Sequence, residues 1–260
     1  MAELEQIPEV DPAIEAMWRG VLVGGHKHRL SFLPGARRCM TCAISLAGVS
    51  GGLIKIATGL HQSRKNPQLC NLCDDLLPMG GAEIDLAVLF ADVRGSTSLA
   101  EKMGPTAFVR LLNRFYQAAN TTLLANQGII DKMVGDEVFA IYLPCGSPTY
   151  RANAVHAAVR LLKLLGYGTP QGGILPVGIG VHAGNAFCGR IGTDGVHDFT
   201  ALGDTVNTGA RLQAQAQPGE VVISEELYQV VAADYPNLEA RTVELRGKEA
   251  PFAIRVLKVG

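Results

Sequence analysis

A chain of 260 residues, 48% of them hydrophobic, is long enough for one large domain or for one domain with a small appendage. Its net charge of −1 and pI near 6.6 give no bulk attraction to a polyanion, and no basic stripe marks a nucleic-acid partner. No apolar run approaches the roughly 20 residues that cross a bilayer, and the acidic opening MAELEQIPEVDPAIE lacks the basic start and apolar core of a signal peptide. The expected compartment is therefore the cytoplasm, with a small molecule or another protein as partner.

Composition changes near Glu83. Residues 1–83 are rich in Gly, Cys, Pro and basic side chains, without sustained periodicity, and turn-forming residues cluster at 78–81. The chain thus divides into a Cys-rich segment, 1–83, and a larger domain, 84–260. Four of the six cysteines form two CxxC pairs, Cys39/Cys42 and Cys70/Cys73. That spacing suits tetrahedral zinc, although the gap between pairs is longer than in common zinc ribbons; an iron–sulfur cluster and unligated thiols are the alternatives. His26, His28 and His61 are candidate extra ligands, and Cys145 and Cys188 read as small buried apolar residues.

In the larger domain, the apolar run 85–93 predicts a buried strand, and Ser96, Thr97 and Ser98 then offer caps for a short helix. Phe108, Leu111, Leu112, Phe115, Ala119 and Leu123 form one helical stripe, so 106–127 is predicted as a helix ended by Gly128. Residues 129–133 and 138–143 read as two strands around a Gly-Asp turn, and 150–165 as an amphipathic helix. A hairpin of 175–182 with 186–191 is expected next, followed by a helix at 206–216 and strands at 221–224, 241–245 and 252–258. The order predicts an α+β fold: a ferredoxin-like mixed sheet with helices packed on one side.

Two carboxylates stand out. Asp92 ends an apolar strand and Asp136 sits in the tight turn, each among apolar neighbours. Either alone reads as a turn or cap residue. Presented together they would repel, and a divalent cation such as Mg²⁺, completed by waters and substrate phosphates, removes that repulsion.

The segments VLFADVRGST (88–97), IIDKMVGDEVFAIY (129–142), GVHAGNAFCGRIG (180–192), FTALGDTVNTGARL (199–212) and LRGK (245–248) occur in this order. Together they resemble the catalytic domain of class III adenylyl and guanylyl cyclases. The resemblance implies a head-to-tail homodimer with its active sites at the interface, converting ATP to cyclic AMP and pyrophosphate with two Mg²⁺ or Mn²⁺ ions. One protomer supplies the metal ligands, matched by Asp92 and Asp136. The other supplies the base-selecting lysine, matched by Lys132, and the pair that orients ribose and stabilises the α-phosphate, matched by Asn207 and Arg211. Lys248 matches a lysine on the terminal phosphates. Where many adenylyl cyclases carry aspartate beside the base, this chain has Thr200, which is similar to a bicarbonate-responsive subgroup. A hydroxyl both donates and accepts, so Thr200 leaves room for GTP while Lys132 favours ATP. The backbone amides opening the helix at Ser96 suit a phosphate. Guanylyl cyclase and a non-catalytic regulatory homologue are the rival functions.

Overall fold

The computed structural model describes residues 11–24, 29–33, 37–64, 67–193, 196–248 and 250–260. Three helices precede the sheet: α1 (Pro12–Arg19), running into a π-helical turn at Gly20–Gly24, then α2 (Gly48–Thr58) and α3 (Asn71–Leu76). There follow β1 (Gly80–Val93), α4 (Ser96–Met103), α5 (Pro105–Ala125), β2 (Ile129–Val134), β3 (Glu137–Tyr142), α6 (Tyr150–Leu164), β4 (Val177–Thr193), β5 (Val196–Leu202), α7 (Asp204–Gln215), β6 (Glu220–Ser224), α8 (Glu225–Val231), β7 (Glu239–Val243) and β8 (Phe252–Lys258). The strands pair in the order β2-β3-β1-β4-β6-β8-β7, with β5 on β4. β4 and β6 run parallel and the other pairs antiparallel, which makes the sheet mixed, as expected.

Strand β1 organises the core because both its faces are apolar. Ala87, Leu89, Ala91 and Val93 face helices α5, α6 and α8, with Phe115, Leu123, Leu161 and Leu162 fully buried against them. Ala82, Ile84, Leu86, Val88 and Phe90 face the other way, into a cluster that also contains Trp18, Ile44, Ile54 and the four CxxC cysteines. The sheet is therefore covered on both faces, not on one alone. The N-terminal segment takes one end of the second face, and α7 crosses the rest. Asp92 is the next residue on that second stripe, where the apolar run ends in a carboxylate.

Three local features depart from expectation. The predicted hairpin at 175–191 is one continuous strand, because β1 pairs with β4 from Gly80↔Arg190 to Val93↔Val177 without a break. Long-range pairing thereby overrides the turn tendency of Gly184 and Asn185. Helix α5 does not end on Gly128 as the left-handed residue: Gln127 takes φ 64°. Its N–H donates to Leu124 O and that of Gly128 to Leu123 O, the paired bonds of a Schellman end. Gly128 is needed for space, since a Cβ there would lie 2.7 Å from the Tyr142 ring. At the other end of the same region, α4 is preceded by Gly95 at φ 66°, and its N-terminus carries no side-chain cap from the serines.

Helix α7 lies unusually close to β4. A Cβ on Gly180 would sit 2.2 Å from the Gln213 backbone nitrogen, closer than any side chain tolerates. Replacing Gly180 with Ala is expected to destabilise the protein by about 1–3 kcal/mol, because backbone must move to admit one methyl. Denaturant unfolding checks this; an unchanged midpoint would show that α7 is not seated on that glycine.

Candidate active site

The first group of side chains lies where β1 ends beside the β2–β3 turn. Asp92 pairs in register with Glu137, so both point to the same face, and the Val93 amide donates to Asp136 O at 3.2 Å. The turn has Gly135 at φ 61°, the positive first position of a II′-type hairpin. Tyr116 of α5 donates to Gly135 O at 2.6 Å and fixes the turn. Burial and the neighbouring Asp136 raise the Asp92 pKa, partly offset by Arg94, whose Nη1 is 3.6 Å from Asp92 Oδ1. Glu137 is raised by burial and by both aspartates. Three carboxylates thus compete for little positive charge. Arg94 also donates to Gln213 O, which ties this corner to α7.

The second group lies on β2 and β5. Between Ile130↔Ala140 and Lys132↔Phe139 the register shifts, leaving Asp131 as the extra residue of a β-bulge. The bulge has a consequence for Lys132. In regular alternation it would share Ile130's helix-covered face, but pairing with Phe139 puts it on the face of Phe90 and Asp92. Phe90 and Phe139 stack there at 4.4 Å. Lys132 Nζ is 3.9 Å from Asp198 Oδ2 on β5. Thr200, also on β5, is buried and donates its hydroxyl hydrogen to Asp131 Oδ2. Burial raises the Asp131 pKa to about 6, against the lowering effects of that hydrogen bond and of Lys132.

The third group is carried by α7. Asn207 is exposed and Arg211, one turn later, half-buried. The Arg211 guanidinium lies against Gly247, where a Cβ would stand 3.5 Å from Nη2. Lys248 Nζ contacts Asp204 Oδ2 at 2.5 Å, and this hydrogen bond holds the Asp204 carboxyl below its usual range. The loop carrying Lys248 is thereby tethered to the start of α7.

Each nucleotide-site residue expected from sequence therefore falls into one of three groups: Asp92 with Asp136, Lys132 with Thr200, and Asn207 with Arg211 and Lys248. Arg94, Asp131, Glu137 and Asp204 were not anticipated. Of these, Asp131 had a readable neighbour in Lys132, but a bulge leaves no mark on the hydrophobic pattern.

The CxxC pairs converge separately. Cys39, Cys42, Cys70 and Cys73 are all buried, with their Sγ atoms within 4.8 Å of one another. Hydrogen bonds from Cys42, Cys70 and Cys73 push Cys39 far below the usual thiol range, whereas bonding to Cys39 raises Cys42 and Cys73. His61 is exposed and bonded to Gly59 O at 2.8 Å, outside the quartet; His26 and His28 lie outside the described residues. Cys188 is fully buried, as expected, and Cys145 only half-buried. Among the described residues no helix is long and apolar enough to cross a membrane.

Comparison with known proteins bears on the family and the fold. The family model described as the adenylate and guanylate cyclase catalytic domain matches residues 82–256. An adenylate cyclase of Anabaena cylindrica is 28% identical over 187 residues, covering 66% of this chain and 36% of the relative. An uncharacterised Mycobacterium tuberculosis protein is 32% identical over 190 residues, covering 68% of this chain and 33% of its own. The chain thus spans about a third of these curated relatives. The crystal structure of the guanylyl cyclase Cya2 superposes with TM-score 0.61 at 26% identity, covering 70% of this chain and 96% of that one. The adenylyl cyclase CyaB from P. aeruginosa gives 0.59 at 28% identity, covering 68% and 95%.

The raised pKa of Asp131 has a definite sign for stability. The unfolded carboxyl releases its proton near pH ~3.9, and the folded one near 6. The folded state therefore holds the extra proton, and this contribution to stability is complete below about pH 4 and lost as pH rises through 6. Asp131→Asn is expected to flatten that part of the stability–pH curve, measured by denaturant midpoints from pH 4 to 7. Parallel curves for the two proteins would contradict it.

Proposed function

Because the chain belongs to the adenylate and guanylate cyclase catalytic-domain family, we propose that it is an adenylyl cyclase, forming cyclic AMP and pyrophosphate from ATP at the interface of a homodimer. The observation that carries this reading is the approach of Asp92 to Asp136 in a setting that raises the Asp92 pKa. Two half-buried carboxylates with one partial counter-charge fit the site of a divalent cation completed by waters and phosphates. Two Mg²⁺ or Mn²⁺ ions held by Asp92 and Asp136 would supply Lewis-acid activation of the ribose 3′-hydroxyl and charge neutralisation on the triphosphate.

The chain's own residues do the rest. Arg94 steadies the Asp92 carboxylate, and Tyr116 holds the turn that presents Asp136. The amides at the start of α4, which no side chain caps, are available to phosphate oxygens in this reading. Arg211 of the opposite protomer places a fixed positive group where negative charge grows on the α-phosphoryl oxygens, an electrostatic effect worth roughly 10²–10³ in turnover. Asn207 orients the ribose, and Lys248 meets the terminal phosphates once it exchanges Asp204 for them.

Thr200 and Asp131 favour adenine. With its proton committed to Asp131, the Thr200 hydroxyl offers only lone pairs outward, which suits the donating 6-amino group of adenine and not the accepting O6 of guanine. The same threonine motivates bicarbonate stimulation, which a bicarbonate titration at fixed pH examines; a flat response removes it. The cysteine quartet is, in this reading, a second metal centre outside the nucleotide site.

Cyclic-nucleotide assays with ATP and GTP, in Mg²⁺ and Mn²⁺, test the assignment. ATP should be turned over preferentially, and Asp92→Ala or Asp136→Ala should reduce turnover at least ~10³-fold, as loss of a metal ligand implies. Substantial activity in either variant refutes the two-metal site. Thr200→Val should erode the ATP-over-GTP ratio; an unchanged ratio would remove the hydroxyl from base selection.

A further inference from the structure

Resting on the reading of the cysteine quartet as a metal centre, we infer that it holds one tetrahedral ion of the zinc type and no iron–sulfur cluster, and that this ion clamps the N-terminal segment behind the hairpin carrying Asp131 and Lys132. The sulfur spacing carries the first part. Four thiolates around one ion at Zn–S distances of about 2.3 Å stand about 3.8 Å apart along each edge of the tetrahedron. Cys42 Sγ and Cys70 Sγ are 3.8 Å apart, and all four sulfurs lie within 4.8 Å. In a [4Fe–4S] cluster each thiolate binds its own iron, and in a [2Fe–2S] cluster the two irons take two thiolates each. In either case an iron–iron separation is added between at least two pairs of sulfurs and spreads the set of four well beyond this.

Backbone amides support charged sulfurs. The Cys70 N–H donates to Cys39 Sγ at 3.3 Å, and the Cys73 N–H to Cys70 Sγ at 3.4 Å. The first pair sits on a tight hairpin closed by the Arg38↔Ser45 bridge, with Cys39 and Ile44 joined at 2.9 Å and Ala43 forced to φ 58°. The second pair opens α3. The two loops also meet directly, Met40 N–H donating to Gln68 O at 2.9 Å.

The quartet's position carries the second part. Its sulfurs share one apolar cluster with Ile129 of β2 and Ile141 of β3. Gln68, between the two pairs, donates its side-chain amide to Gly128 O, immediately before β2. Arg190 of β4 grips the same segment, donating to Leu77 O at 2.6 Å and to Asp74. The two pairs lie on separate stretches of chain on either side of α2, so an ion joining 39–42 to 70–73 fixes the surface against which the base of the hairpin packs.

Elemental analysis of the full chain, purified anaerobically, with an acid-labile sulfide assay, tests the ion. One zinc per chain without sulfide is expected. Several irons with matching sulfide would overturn the single-ion inference while leaving the metal centre standing; neither zinc nor iron would remove the metal centre itself. Co²⁺ exchanged into the site should give the intense thiolate charge-transfer and d–d absorption of a tetrahedral four-sulfur site; an octahedral spectrum overturns the geometry. For the clamp, hydrogen exchange at the amides of 129–132 should accelerate about tenfold or more when the ion is chelated. Cys42→Ser should show the same acceleration and Cys145→Ser none. Unchanged protection at 129–132 after loss of the ion would overturn the clamp.

Discussion

The arrangement depends on a carboxylate placed where an apolar stripe should continue. Ala82, Ile84, Leu86, Val88 and Phe90 point from β1 into one cluster, and Asp92 is next on that face. Burial and Asp136 both make its charged form costly, and one arginine at 3.6 Å offsets only part of that cost. Such a corner, with Tyr116 pinning the turn and Arg94 bridging to α7, fits the proposed site for a cation and an anionic ligand. Stability alone would be served better by an apolar residue at position 92.

The remaining site residues sit on other elements of the same chain. The bulge at Asp131 turns Lys132 to the face of Asp92, while the β4–β5 hairpin bends back far enough for Thr200 to reach Asp131, although β3, β1 and β4 separate their strands in the sheet order. Close seating of α7 on Gly180 presents Asn207 and Arg211 from the same helix. One chain thus carries an acidic group suited to cations and basic and polar groups suited to base and phosphates. In the proposed homodimer, two copies related by a twofold axis would bring each acidic group opposite the other copy's basic one and form two equivalent sites.

Much of this was legible in the sequence where one local signal dominated. The buried run of β1, the stripe of α5, the β2–β3 turn and the helices α6 and α7 were all predicted within a few residues, because burial and hydrogen bonding there follow the local pattern. Legibility failed where distant contacts decided the outcome. β4 is continuous because β1 pairs along all of it, despite Gly184 and Asn185. Gln127 takes the left-handed position because Gly128 is wanted for its lack of a side chain beneath Tyr142. Helices α1 to α3 escaped notice because their segment packs onto the sheet through scattered residues such as Trp18, Ile44 and Ile54, with no repeating period. Asp131 escaped for a similar reason: only the strand pairing reveals the bulge that gives it Thr200.

Complementation between two inactive variants measures the shared site most directly. Asp92→Ala removes a cation ligand and leaves the α7 residues intact; Arg211→Ala does the reverse. Mixed in equal amounts and allowed to exchange subunits, half of the dimers are mixed and each holds one intact site of two, so cyclase activity should recover to about a quarter of the wild-type value. Activity that stays at the level of the separate variants, despite demonstrated subunit exchange, would contradict a site built from two copies.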